Sequence, residues 1–220
     1  MHIPDGVLPA TVSVAGYATT GAATWYALHK INQRADPQAG IPKASLLTTA
    51  FLVGSWIHIP VPPTSVHLVL NGLLGVVLGY YAFPAILIGL FFQAVMFQHG
   101  GLTTLGVNAT MMGVPALLSY HVFRLRGLLV RKSAPGSRPY RMWNGVFGFL
   151  AGAIGVGIAA LVALVLLVTT IPSHLDVEAE RASIYALTLA HVPLMFIEGL
   201  FTALVILFLQ RVKPELLENG

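Results

Sequence analysis

The chain has 220 residues, and Lys, Arg, Asp and Glu account for only 9% of them, against roughly 25% in an average soluble domain. Hydrophobic residues make up 56%, and residues 44–123, between Lys43 and Arg124, carry no charged side chain, a pattern that no water-facing surface tolerates. Twelve basic and eight acidic residues leave a net charge of +4, and cysteine is absent. Disulfides, thiolate metal sites, iron–sulfur clusters and cysteine nucleophiles are therefore excluded, and any metal is held by nitrogen or oxygen.

In chain order, breaks at Pro, Gly and charged clusters leave seven apolar stretches, about 10–29, 44–59, 66–82, 84–98, 109–130, 142–171 and 182–210. A span takes about 20 apolar residues. The expectation is an all-α polytopic membrane protein, one domain over 1–220 with about seven transmembrane helices. Ahead of the first stretch, MHIPDGVLPA lacks Lys and Arg and contains Asp5. It does not fit a secretory signal, so Met1 is expected to be the mature start.

Charge placement orients these spans. The loop after the first stretch holds Lys30, Arg34 and Lys43, the loop Arg124–Arg141 has six basic and no acidic residues, and the tail carries Arg211 and Lys213. With seven spans all three lie on one side, which the positive-inside rule makes cytoplasmic. The N-terminus is then outside and the C-terminus inside, in the inner (plasma) membrane. Small residues recur four apart at Ala18/Ala22, Ala23/Ala27, Gly75/Gly79 and Gly148/Gly152, a spacing that lets helix backbones approach closely. Packing within the bundle and docking of another membrane subunit both fit it.

Enzyme readings start weak. None of the four lysines follows a glycine, so there is no GxxxxGK[ST] phosphate loop, and GxSxG and HExxH are missing. The position of each basic residue matters more than their sum, and no nucleic-acid partner is expected. The first two residues offer different chemistry. A free Met1 α-amine, the His2 backbone nitrogen and His2 Nδ1 can close a five- and a six-membered ring around one metal. Ni²⁺ or Cu²⁺ favours such tetragonal all-nitrogen geometry, and a second imidazole completes the square. Pro4, Asp5 and Gly6 suit a type I turn that folds the terminus back. Asp5 is either a turn residue or a carboxylate balancing the cation.

His67, in PPTSVHLVLNGLLG, is the candidate fourth ligand. Thr64 or Ser65 would cap the third span, placing His67 in its first helical turn, on the same side as Met1. Asn71, four residues on, would share its face and hydrogen-bond the site. His58 and His99 are either ordinary interfacial residues or line an access path or a surrounding shell. His29 and His121 are expected to pack or snorkel, and His174 to sit in a loop. His191 and Glu198, seven apart on the last span, share a face, and a carboxylate at that depth needs a partner. They serve either as a conformational switch or as a structural lock.

MHIPDG at the start, SVHLVLNGLLG in the third span and HVPLMFIEGLFTA in the last resemble the CbiM/NikM family, the cobalt- and nickel-specific capture subunits of energy-coupling factor transporters. The resemblance implies a substrate-binding subunit of an ATP-driven importer and not an enzyme. It implies Ni²⁺ or Co²⁺ as transported substrate without an organic cofactor, in a square plane of the Met1 amine, the His2 backbone nitrogen, the His2 imidazole and the His67 imidazole. The implied partners are a transmembrane coupling component, a pair of cytoplasmic ATP-binding cassette ATPases and often a small accessory membrane subunit, of which no fused copy is expected after the last span. The pattern HxPLxxxEG favours a structural role for His191 and Glu198. Two rivals stand beside this reading: a haem-binding membrane subunit with paired axial histidines, and an intramembrane enzyme using His191 and Glu198.

Overall fold

The computed structural model describes residues 2–61, 64–130, 133–134, 136–172 and 175–218. Helix α1, Ala10–Asn32, follows Pro9 and ends with His29 and Lys30 in its last turn, where positive charge faces the negative end of the helix dipole. Helix α2, Ile41–Gly54, carries Pro42 in its first turn, where no backbone donor is lost. The chain then forms a two-stranded antiparallel hairpin, β1 His58–Val61 and β2 Thr64–His67, in which His58 pairs with His67. Helix α3, Asn71–Leu78, a single 3₁₀ turn at Gly79–Tyr81 and helix α4, Ala82–Phe97, follow. Helices α5, Leu105–Arg124, and α6, Arg126–Val130, precede the two longest, α7, Arg138–Thr169, and α8, Val177–Val212. Ser137 caps α7 by accepting from Tyr140 N, and Asp176 caps α8 by accepting from Glu178 N and Ala179 N. A short helix α9, Glu215–Glu218, closes the described chain.

The third apolar stretch differs from its sequence expectation. Residues 64–67 are strand and the helix begins only at Asn71, so an all-α description gives way to a helical bundle with one hairpin. Residues 68–70 are neither helix nor strand, and Val69 and Leu70 are buried. Buried backbone donors need acceptors, and these come from α8: the Glu198 carboxylate accepts from Val69 N and from Leu70 N, the latter at 2.8 Å. A carboxylate 128 residues away thus stabilises an extended segment that local sequence would let coil into a helix. Leu70 itself takes the left-handed conformation, φ 56°.

Among the described residues, three stretches are long and apolar enough to cross a membrane: Asn71–Phe97, Arg138–Thr169 and Val177–Val212. The first of these is not one straight rod. Twenty-seven residues of continuous helix would extend about 40 Å, yet His67 before it and His99 after it have ring centroids 5.1 Å apart. The chain reverses at Gly79, φ 59° and ψ −126°, a conformation open to glycine. Helices α3 and α4 are therefore two arms of a hairpin. At its turn Tyr81 OH donates to Pro37 O at 2.7 Å, and near the far end of α4 Gln93 meets Ser55, just past α2.

Glycines set the closest helix approaches. A Cβ on Gly72 would lie 2.6 Å from Gly152 Cα, one on Gly75 would lie 2.0 Å from Ala116 O, and one on Gly148 would lie 3.2 Å from Ala203 Cα. Backbones of α3, α5, α7 and α8 are thus in near contact, and the Gly75 and Gly148/Gly152 positions are used within this bundle. Leu74, Ile86, Met112 and Leu194 are fully buried in the interior. Outward positions such as Val14, Trp25, Leu46, Phe196, Leu200 and Phe208 are exposed and equally apolar, as a lipid-facing surface requires.

Candidate metal centre

The segment ahead of α1 is fixed to the loop and helix that follow α4. Asn108 holds the Ile3 peptide at both ends: Ile3 N donates to Asn108 Oδ1 at 2.9 Å, and Asn108 Nδ2 donates to Ile3 O at 3.0 Å. Thr104 Oγ1 donates to the same carbonyl at 2.6 Å. Ile3 and Leu8 are buried against Val107, Met111, Ala159 and Ala163. Asp5 accepts from Leu102 N at 3.1 Å and Thr103 N at 2.8 Å, and also from the Thr103 hydroxyl. Those bonds, the Thr103 hydroxyl first, hold its carboxyl below its ordinary range. Its oxygens strap the terminus to the 101–104 loop. Gly6 completes the turn at φ 84°.

This anchoring delivers His2 to His67 and His99. His2 Nδ1 lies 3.2 Å from His67 Nε2, with ring planes 29° apart. The ring of His99 stands 4.1 Å from that of His2 and 5.1 Å from that of His67, at 68° and 72°. One nitrogen from each of the three lies within 4.8 Å of the others. Metal–nitrogen bonds of about 2.0–2.1 Å put neighbouring ligands of a square about 2.9 Å apart and opposite ones about 4 Å apart. The His2–His67 pair has the neighbouring spacing. It is too close to grip opposite faces of a haem.

Hydrogen bonding fixes which nitrogens are available. Ser55 Oγ donates to Leu52 O at 2.7 Å, so it accepts from Gln93 Nε2 at 2.9 Å. That orients Gln93 Oε1 towards His2 Nε2, 2.8 Å away, and makes Nε2 the protonated nitrogen of His2. Nδ1 keeps the lone pair. On His67, Nδ1 lies 2.9 Å from Leu68 O, so the proton is on Nδ1 and Nε2 is the lone-pair nitrogen. Two imidazole lone pairs are thereby aimed at one region, each set by an outer acceptor. Burial keeps the rings neutral: His67 is pushed down to about 3, and His2 and His99 are also lowered.

The remaining sequence candidates separate by position. Met1 and His174 lie outside the described residues. His58 pairs with His67 across the hairpin, its ring exposed at 6.1 Å from His67 and its Nδ1 2.9 Å from Trp56 O. Asn71 is not on a helical face with His67, because the helix begins at Asn71. Its Nδ2 donates to Gly155 O at 2.9 Å and to Met112 O at 3.3 Å, tying α3 to α7 and α5. His191 Nδ1 lies 2.8 Å from Leu187 O, one turn back, and Glu198 holds Val69 and Leu70. Both side chains are thus engaged with backbone. His29 stacks on Trp25, and His121 packs against Tyr80 and Tyr120. Sequence reasoning missed Gln93, Ser55, Thr104 and Asn108, which build the cradle. Their signal was amides and hydroxyls inside a long uncharged run, where each polar group needs a partner.

An apolar helical bundle with three converging imidazoles defines a membrane protein equipped to hold a transition-metal ion. Comparison with known proteins agrees in kind. Residues 2–216 match the profile described as CbiM, cobalt uptake substrate-specific transmembrane region. A Haemophilus influenzae protein named for metal transport is 34% identical over 220 residues, covering all of this chain and 98% of that one. The fused nickel transport protein NikMN of Rhodobacter capsulatus is 31% identical, covering 99% of this chain and 64% of that one. A crystal structure of a truncated transition metal transporter has the same fold, with TM-score 0.78 at 23% identity over 96% of this chain and 99% of that one. The chain belongs to the CbiM family.

Proposed function

We propose that this protein is the substrate-specific membrane component of an ATP-driven importer for Ni²⁺ or Co²⁺. The Met1 amine, the His2 backbone nitrogen, His2 Nδ1 and His67 Nε2 form the metal square, and the ion is the transported substrate. The observation that carries the reading is the 3.2 Å approach of His2 Nδ1 to His67 Nε2, with the other nitrogen of each ring occupied by Gln93 Oε1 and Leu68 O. Neutral imidazoles, no thiolates and a nitrogen-rich corner suit Ni²⁺ and Co²⁺ better than hard Mg²⁺ or Ca²⁺. The single domain over 1–220 crosses the inner membrane about seven times, N-terminus outside and C-terminus inside. It delivers its ion to a transmembrane coupling component driven by a pair of cytoplasmic ATPases, with a small accessory membrane subunit in the complex.

Calorimetric titration of the detergent-purified chain with NiCl₂ tests this. One ion should bind per chain, and His67→Ala should weaken binding by about 100-fold or more, since an interior ligand is lost outright. Equal affinity in His67→Ala would remove the site from this position.

A further inference from the structure

We propose that His99 is an additional ligand to the same ion, set across the plane of the His2 and His67 nitrogens, and that it governs how readily the site accepts Co²⁺ beside Ni²⁺. The proposal rests on the metal reading above. Three observations carry it. A ligand nitrogen of His99 lies within 4.8 Å of those of His2 and His67. Its ring stands steeply, at 68° and 72°, to two rings that are themselves within 29° of each other. Its Nε2 is buried with no hydrogen-bond partner among the described residues, whereas buried ring nitrogens are ordinarily partnered. A bound cation supplies that partner.

The position of His99 is built. Its backbone N donates to Gln93 O at 3.1 Å, so the residue that orients His2 also holds His99. Gln98 before it turns at φ 53° and Gly100 after it at φ 89°. A Cβ on Gly100 would lie only 3.5 Å from His2 Cδ2. The Asp5 strap at Leu102 and Thr103 keeps this loop over the terminus. An axial ligand is a neighbour of every in-plane one, about 3 Å away with ordinary bonds, so a side-chain rotation that closes the present separation of up to 4.8 Å brings His99 onto the ion.

The chemistry of the two ions then separates. Four in-plane nitrogens already bind d⁸ Ni²⁺ tightly, so a fifth adds little to its affinity. Co²⁺ gains more from an axial nitrogen, and axial ligation turns square Ni²⁺ from diamagnetic to paramagnetic. The test is calorimetric titration of the full chain, His99→Gln and His99→Ala with NiCl₂ and CoCl₂, with proton NMR of the Ni²⁺-loaded proteins and far-UV dichroism for folding. Co²⁺ affinity should fall about tenfold or more in both variants, and Ni²⁺ affinity by less than about threefold, in line with the effect of auxiliary groups at metal sites. Contact-shifted lines should mark the Ni²⁺-loaded native protein and vanish in the variants. Should His99→Ala lose helicity, His99→Gln and the native spectrum decide. An unchanged Ni²⁺ to Co²⁺ ratio in His99→Gln, or a diamagnetic native Ni²⁺ form, overturns the role of His99 and leaves the chelate standing. A native chain that binds neither ion overturns both.

Discussion

Gln93 is a fully buried amide on an apolar helix, and its side chain bridges Ser55 to His2. Because Leu52 O can only accept, the run Leu52–Ser55–Gln93–His2 has one consistent direction, and that direction leaves His2 Nδ1 as a metal-binding lone pair. Gln93→Leu removes the acceptor and leaves Nε2–H without its partner. Metal affinity should then fall about 10- to 100-fold, the usual cost of losing an outer hydrogen bond at a metal site. Nitrogen-15 NMR of the metal-free protein should show a shift in the His2 tautomer. An unmoved tautomer in Gln93→Leu would contradict the relay.

At the scale of elements, the extended segment before α3 depends on α8. Glu198→Ala leaves the buried Val69 and Leu70 donors without their acceptor, and an unsatisfied buried donor costs about 1–3 kcal/mol. The protein should lose about 2 kcal/mol or more of stability, together with metal affinity, because His67 lies two residues from Val69. Glycine substitutions should divide by contact. In Gly152→Ala the new Cβ falls 2.6 Å from Glu198 O, and such overpacking costs about 1–3 kcal/mol. In Gly21→Ala it meets nothing within 4 Å, and the helix should gain up to about 1 kcal/mol. Denaturation in one detergent compares the three.

The helices α7 and α8 were legible from hydrophobic runs at 142–171 and 182–210, because long apolar stretches bounded by Ser137, Pro139 and Asp176 admit few alternatives. His2 and His67 were legible as a pair through the chemistry of an amino terminus and a distant imidazole. The β1–β2 hairpin was not, since Thr64 and Ser65 read locally as helix caps, and the deciding acceptor, Glu198, is more than 120 residues away. His99 was visible only as a histidine on the same side. Its meeting with His2 depends on the reversal at Gly79 and on the Asp5 strap, neither of which leaves a local periodic signal.

For the whole molecule, the buried histidines link stability to pH. His67 in the unfolded chain takes a proton near 6.5, while in the fold its value is about 3. Below pH 6.5 the unfolded state therefore binds more protons, and metal-free stability should fall progressively as pH drops from about 6.5 towards 3. His2, also lowered, adds in the same direction. Melting temperature of the native chain and of His67→Ala measured across that range checks the sign, and an equal change in the two proteins would contradict neutral burial of the His67 ring.

The α-amine of Met1 completes the proposed square, so the most direct measurement alters that group alone. Calorimetric titration with Ni²⁺ should compare the native chain with the same chain acetylated at its amino terminus. The account predicts a loss of about 100-fold or more, because acetylation converts the metal-binding amine into an amide and supplies no other amine to close the five-membered ring. Equal affinity in the two proteins would contradict it.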